Sequence, residues 1–480
     1  MRILCSVLLS LFITPLYAQS DRADYDLDDD GLIEINDLSD LTDIQNHLDG
    51  AALYNESTGC PAQGCNGFEL TTNLTFAEGD LHTPIGSSST PFVGIFDGNG
   101  YSIIDLQINV TSSYTGLFGA VVDGELKNVT LEGKYRLYGR GYFGALAGQI
   151  STTSVKNVYS KLSLTSGSGS NIGGLIGSAL SSDIKESYST GEVRTTSSSQ
   201  NSVGGLVGNS SSTTINATFS LGDVIIEGGS SHFTGGLVGY ANSASAISNS
   251  YVVGDVYNEN FYYSGGLAYT GSVSNSYVAG GVYTKGVSYT LTGSSQTNSF
   301  YASDLKGTSG GSGTGVLLDE LKCPITGSDT ACVNGVVLYD GWELSLDTQG
   351  MAYWDFGTVS ELPVLVFEGR IYRDTDGDNS FDFEDAFINN PAASKDSDND
   401  GAVDFFSIDC DENCRNESGL SIDMFPMDPA ASSDVDFDGK PDEWNAACTL
   451  GSDCRNNTTL ELDAYPNDKD DDGIIDTIDT

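Results

Sequence analysis

GGLVG at 204–208, repeated at 235–239, is one of six near-copies of a short phrase. The others are GLFG at 116–119, GALAG at 144–148, GGLIG at 173–177 and GGLAY at 265–269. Their last residues fall at 119, 148, 177, 208, 239 and 269, in steps of 29, 29, 31, 31 and 30. A steady step of this size specifies stacked repeats and not an ordinary globular core. Each repeat has a second string: LKNVTLEG (126–133), VKNVYSKL (155–162), IKESYSTGEV (184–193), INATFSLGDV (215–224), ISNSYVVGDV (247–256) and VSNSYVAGGV (273–282), with a shorter echo, TNSFYAS, at 297–303. Apolar residues alternate there with small or polar ones, and β-branched and aromatic residues are frequent, which are strand signals. The expected fold is all-β. It is a parallel β-helix or β-solenoid with coils of about 30 residues, capped at both ends and followed by a loop-rich tail ordered by calcium. Coils would stack at about 4.8 Å through parallel hydrogen bonds. Leu206, Val207, Ile215 and Phe219 would then lie against Leu237, Val238, Ile247 and Tyr251 of the next coil.

Residues 1–18 read as a secretory signal peptide: Arg2, the apolar run ILCSVLLSLFI, then LYA before Gln19. That run is too short to span a bilayer, and the later sequence offers no segment of the required length. Beyond Cys5, eight cysteines remain in four close pairs: Cys60/Cys65, Cys323/Cys332, Cys410/Cys414 and Cys448/Cys454. An even count behind a signal peptide reads as disulfides in an oxidising compartment, and local pairing is the simplest connectivity. Thiolate metal binding is disfavoured, because no pair has CxxC spacing and His47, His82 and His232 stand apart. The net charge is −47, which argues against nucleic acid or an anionic membrane as partner. Residues 371–480 hold 30 Asp and Glu against 6 Lys and Arg, about half the excess.

That tail carries the chemistry. Asp468, Asp470, Asp472, Gly473, Asp476 and Asp479 fall at offsets 1, 3, 5, 6, 9 and 12 of one string. Asp434, Asp436, Asp438, Gly439, Asp442 and Asn445 repeat it. Asp396, Asp398, Asp400, Gly401 and Asp404 match through offset 9, with Ser407 at 12. Asp374, Asp376, Asp378, Asp382 and Asp385 also fit, with Asn379 where glycine is usual. Ca²⁺ takes six to eight oxygen ligands, and alternate residues of a tight loop aim carboxylates at one centre. A fifth copy, Asp26, Asp28, Asp30, Gly31, Glu34 and Asp37, precedes LSDLTDIQNHL, where Leu38, Leu41, Ile44 and Leu48 have helical spacing. It reads as half an EF-hand whose helix covers the first coil. Ca²⁺ is the expected cofactor.

The domain map follows. Residues 1–18 are the signal peptide, 19–50 the calcium loop and capping helix, and 51–115 an N-terminal β cap. Residues 116–302 are the solenoid, 303–368 its C-terminal cap, in which a tryptophan-bearing segment closes the far end, and 371–480 the calcium-binding tail. The body resembles proteins carrying the GLUG motif, on GGLIG, GGLVG and the NSY-x-x-G-x-V strings, with FDGNGYSI, DDDGLIEI and WDFGTVSELPVL as typical flanks. The tail resembles thrombospondin type-3 repeats, whose DxDxDGxxD strings wrap calcium. Together these resemblances imply a secreted or surface-exposed bacterial protein of adhesin-like organisation.

The sequence favours a non-catalytic adhesion or ligand-binding protein, with an extracellular glycan, protein or surface as partner. The alternative is a β-helix polysaccharide lyase or glycoside hydrolase. Paired acids would serve such an enzyme, but Asp183, Glu186, Glu192, Asp223 and Asp255 are scattered and read as solvated turns. HExxH is missing, so the peptidase company that GLUG motifs sometimes keep finds no support. Arg136 and Arg140, near Tyr135, Tyr138 and Tyr142, form a basic-aromatic cluster that reads as surface decoration.

Overall fold

A computed structural model describes residues 25–48, 60, 65–109, 113–133, 136–196, 199–228, 230–259, 263–289, 291–305, 312–322, 338–342, 345–347, 349–357, 361–407, 410–449 and 452–469. The expected signal peptide, the Cys323/Cys332 pair, Tyr135 and the acids from Asp470 onward lie outside them. The chain winds into a parallel β-solenoid with two long ladders, of 20 and 11 strands. The expected coil register is observed. Val207 pairs with Val238, Ile215 with Ile247 and Phe219 with Tyr251, and Leu206 N donates to Leu237 O at 2.9 Å. One apolar core runs inside the stack from Ile33 to Leu291.

The repeated phrases have distinct physical tasks. Gly174, Gly205 and Gly236, each the second glycine of its GG pair, sit where coils nearly touch: a Cβ on Gly205 would run into Gly236 O and Ser220 Oγ. In NSY, the asparagine turns a corner. Asn157, Asn249, Asn275 and Asn298 have φ of 53°, 47°, 45° and 49°, a left-handed conformation asparagine tolerates. The corner takes the next N–H out of the ladder, and serine replaces the lost acceptor. Ser250 N donates to Ser276 Oγ at 3.1 Å and Ser276 N to Ser299 Oγ at 3.2 Å. The aromatic residue points outward and stacks. Tyr159, Tyr188, Phe219, Tyr251 and Tyr277 form a ladder with successive centroids 4.5, 4.7, 4.8 and 5.2 Å apart.

The solenoid begins earlier than the phrase repeat. Leu32–Ile35 pairs with Gly67–Leu70, which pairs with Phe92–Asp97, which pairs with Phe118–Glu132. Much of 51–115 is therefore coil without the glycine phrase. The helix Leu38–Leu48 forms as expected, with Leu41 and Ile44 fully buried in the core, and Gly86 N donates to Gln45 Oε1 at 2.7 Å. At the other end Thr314–Val316 adds a rung to Phe300–Ala302, and Leu321 of the helix Leu318–Leu321 is buried.

The tryptophan-bearing segment departs from expectation. Its described residues run back along the flank as a strap over the aromatic ladder and not across the far end. Trp342 lies 6.0 Å from Phe300, Trp354 6.0 Å from Tyr251, Phe367 6.2 Å from Phe219, and Phe381 5.3 Å from Tyr188. Tyr277 OH donates to Pro363 O at 2.6 Å and Asn157 Nδ2 to Glu368 Oε1 at 2.6 Å. Stacked rings expose a flat apolar flank that the coils cannot bury among themselves, and the strap's own rings remove it from water. The local disulfides Cys60–Cys65, Cys410–Cys414 and Cys448–Cys454 are formed. No helix of the described residues is long and apolar enough to cross a membrane.

Candidate metal centres

Four acidic strings fold into the same loop. Offset 6 donates its N–H to the carboxylate at offset 1: Gly31 to Asp26 at 2.9 Å, Asn379 to Asp374 at 3.0 Å, Gly401 to Asp396 at 2.9 Å and Gly439 to Asp434 at 2.9 Å. Offset 5 donates to offset 3 at 3.2–3.3 Å in all four. Offset 2 donates to the acid at offset 9: Leu27 to Glu34, Thr375 to Asp382, Ser397 to Asp404 and Val435 to Asp442. Two residues per loop are left-handed, at offsets 4 and 6. They are Asp29 and Gly31, Asn399 and Gly401, Phe437 and Gly439, and in the first tail loop Gly377 and Asn379. The unusual Asn379 is thus an exchange: glycine has moved to offset 4, and asparagine takes the other left-handed position.

These bonds gather carboxylate oxygens. Asp374, Asp376 and Asp378 bring ligand atoms within 4.8 Å of one another, as do Asp396, Asp398 and Asp400, and Asp434, Asp436 and Asp438. Asp382, Asp404 and Asp442 close the loops through the backbone and stand outside those triads. Asp385 is buried beside the first triad, whose charges act on it. Asp468 N donates to Asp436 Oδ2 at 2.8 Å, which joins the last string to the preceding loop.

Two acids that the strings do not contain complete the picture. Asp423 is 4% exposed, and its Oδ2 has no hydrogen-bond partner. Its backbone N donates to Val403 O at 2.8 Å, and the charges of Asp400, Asp404 and Asp396 act on it. Asp463 repeats this beside the third loop, with its N donating to Pro441 O at 2.9 Å and Oδ2 unpartnered. Asp385, Asp423 and Asp463 each accept from the N–H two residues on, of Phe387, Phe425 and Tyr465. The Asp-x-aromatic recurrence at 385, 423 and 463 was a usable signal in the sequence. Disulfide-closed insertions, each carrying a short helix (Glu412–Ser418 and Asp453–Asn457), displace the latter two from their loops.

At the N-terminal loop, Asp26, Asp28 and Glu34 gather, and Asp28 and Asp30 gather with Glu69. Glu34 and Glu69 are direct partners on adjacent parallel strands, at 4% and 6% exposure. Asp97 follows on the next rung and Lys127 after it, with Lys127 Nζ 3.4 Å from Asp97. Like charges in register repel. Asp37 lies apart, capping the helix by accepting from Ser39 N at 2.8 Å and Asp40 N at 3.0 Å.

Electrostatics point the same way. Burial, with neighbouring carboxylates adding to it, lifts Asp26, Glu34 and Glu69 above the usual carboxylate range. It pushes Asp374, Asp385, Asp398 and Asp423 up to about 6. The third loop differs, since Lys440 Nζ lies 2.9 Å from Asp438 and holds its carboxyl down. An all-oxygen donor set with buried, unpartnered carboxylate atoms fits a hard cation such as Ca²⁺. Bound there, it would neutralise the crowded charges.

The acids of the coils serve the stack. Asp255 N donates to Asp223 Oδ1 at 2.8 Å and Gly281 N to Asp255 Oδ1 at 2.7 Å. Arg136 of the basic-aromatic cluster pairs with Glu192 at 2.6 Å. Buried Glu186 pairs with Lys156 at 3.2 Å and accepts from Tyr353 OH at 3.2 Å.

Residues 168–194 match the family model Glug, "The GLUG motif". A similar solved structure is described as that of a "putative immunoglobulin A1 protease from Bacteroides ovatus". It is 17% identical, with 70% of this chain and 92% of that one covered, at a TM-score of 0.44. Among curated proteins, none shows significant similarity to the chain.

Proposed function

We propose that this is a secreted or cell-surface, calcium-stabilised β-solenoid that binds an extracellular ligand without transforming it. The observation that carries the reading is the recurrence of one carboxylate loop at four places, once at the solenoid's first rung and three times in the tail. Calcium would there fasten both the start of the stack and the segment leading off the strap. The signal-peptide pattern, the local disulfides and the tail's likeness to thrombospondin type-3 repeats support an extracellular setting. Glu186, Glu192, Asp223 and Asp255 are committed to neighbouring coils and to the strap, and Asp183 pairs with Lys185 of its own strand, which favours a scaffold over a paired acid–base site.

The test has two arms on the full mature chain. Calorimetric titration should reveal several Ca²⁺ sites. A panel of neutral and polyanionic polysaccharides should yield no new reducing or unsaturated ends. Sustained turnover abolished by one coil substitution would replace this reading with a β-helix carbohydrate-active enzyme.

A further inference from the structure

A second group of rings lies where the shorter ladder turns into the longer one: Phe233, Tyr263 and Tyr289 are on strands of the 11-strand ladder, and Tyr240 is on a strand of the 20-strand ladder. Phe233, Tyr240, Tyr263, Tyr269 and Tyr289 come from three successive coils. Phe233 is 4.9 Å from Tyr240, 4.7 Å from Tyr269 and 6.4 Å from Tyr263, and Tyr269 is 5.0 Å from Tyr263 and 5.6 Å from Tyr289. The interplanar angles are 40°, 21°, 17°, 32° and 30°, so Phe233 stacks on Tyr263 and Tyr269, and Tyr269 on Tyr289, while the Phe233–Tyr240 and Tyr263–Tyr269 pairs are tilted. Tyr263 is 41% exposed and the other four are half-buried.

The repeat itself does not require these rings. Register places Asn171 beside Ser202, Ser202 beside Phe233 and Phe233 beside Tyr263. On the adjoining strands it places Ser178 beside Asn209 and Asn209 beside Tyr240. Two coils therefore stack well with small polar residues at positions where the next coils carry aromatics. An aromatic that packing does not demand, left partly in water, is a candidate contact surface.

We infer that this patch is a binding platform for neutral glycans. This rests on the ligand-binding reading above. Four of the five rings carry a hydroxyl, so the surface is apolar on its face and hydrogen-bonding at its rim. A sugar ring has the same division, with C–H groups on its faces and hydroxyls around its edge. The five residues bear no charge, and the molecule's net charge of −47 repels anionic polymers, so the complementary partner is uncharged. Three coils at about 4.8 Å per step give the platform the length of more than one sugar unit.

The experiment uses the full mature chain in calcium and a panel of neutral glucans, mannans and xylans, with polygalacturonate as the anionic comparison. The wild type should bind at least one neutral polymer in affinity electrophoresis and calorimetry. The double variant Phe233→Ser, Tyr240→Asn installs residues that the preceding coil already tolerates. It should bind at least about tenfold more weakly while its thermal transition stays in place. Tyr263→Ala should weaken binding as well, and Tyr257→Ala, at a separate stacked pair with Tyr283, should not. Failure of every neutral polymer to bind, preference for polygalacturonate, or equal binding by the double variant would overturn the platform. None of these results involves turnover, which is what would defeat the non-catalytic reading.

Discussion

The ring of Phe381 lies edge-on to that of Tyr188, with centroids 5.3 Å apart and planes at 81°. Phe381 belongs to an acidic loop, between Asp378 and Asp382, and is fully buried. Tyr188 belongs to the middle of the solenoid's aromatic ladder. Lys161 and Glu384 form an ion pair alongside. The first tail loop and the solenoid thus share one apolar cluster, so order in one is coupled to order in the other.

Phe381→Ala should release the loop and the end of the strap while leaving the coils folded. Removing a buried ring costs about 3–5 kcal/mol, far more than the exposed face of a short segment recovers. Limited proteolysis should cut between residues 361 and 390 in the variant first, and tryptophan emission should shift to longer wavelength as Trp354 loosens. An unchanged cleavage pattern would remove Phe381 as the anchor.

In chelator, tail stability should fall as pH rises. Asp374, Asp385, Asp398 and Asp423 have folded-state values near 6, against 3.8 for the ordinary carboxyl. Between about pH 4 and 6 the folded tail therefore holds more protons than the unfolded one, and stability declines through that window. With saturating Ca²⁺ the trend should reverse, because protons compete with the metal. Proteolysis rates at pH 5 and pH 8, with and without chelator, check both signs. A metal-free tail that is more resistant at pH 8 would contradict the argument.

Asp423→Asn should lower the number of tight Ca²⁺ sites by one in calorimetry, since it removes a buried charge from the second tail loop. Asp37→Asn should leave that number unchanged. Asp37 caps a helix, and asparagine caps nearly as well. Loss of a site with Asp37→Asn, or none with Asp423→Asn, would reverse the assignments.

The coil register was readable because one side chain recurs at one place: Leu206, Val207, Ile215 and Phe219 find their counterparts a period later. The offset-1, 3 and 5 carboxylates were readable because their spacing is local. Glu69 was not, since it meets Glu34 only after a full coil has been wound. Asp423 and Asp463 were hidden by disulfide-closed insertions that carry them past offset 12, where Ser407 and Asn445 stand. The strap was hidden for a different reason. Trp342, Trp354 and Phe367 follow no period, and their destination depends on a ring ladder that exists only once the coils have stacked. The first rungs lack the glycine phrase, so 51–115 read as a cap.

The strap's direction has a mechanical consequence. Because it doubles back from Trp342 to Phe381, the acidic repeats leave the solenoid beside Tyr159 and Tyr188 and not beyond its last rung. Tension drawn through the chain past Asp385 therefore arrives from the side. It falls first on Phe381 and Tyr372, then on Phe367 and Trp354, one ring at a time, while the backbone ladders of the coils are spared. Peeling the strap back to Trp342 frees 39 residues, roughly 130 Å of extended chain. The molecule thus holds a reserve of length that a pull can draw out before any coil unwinds.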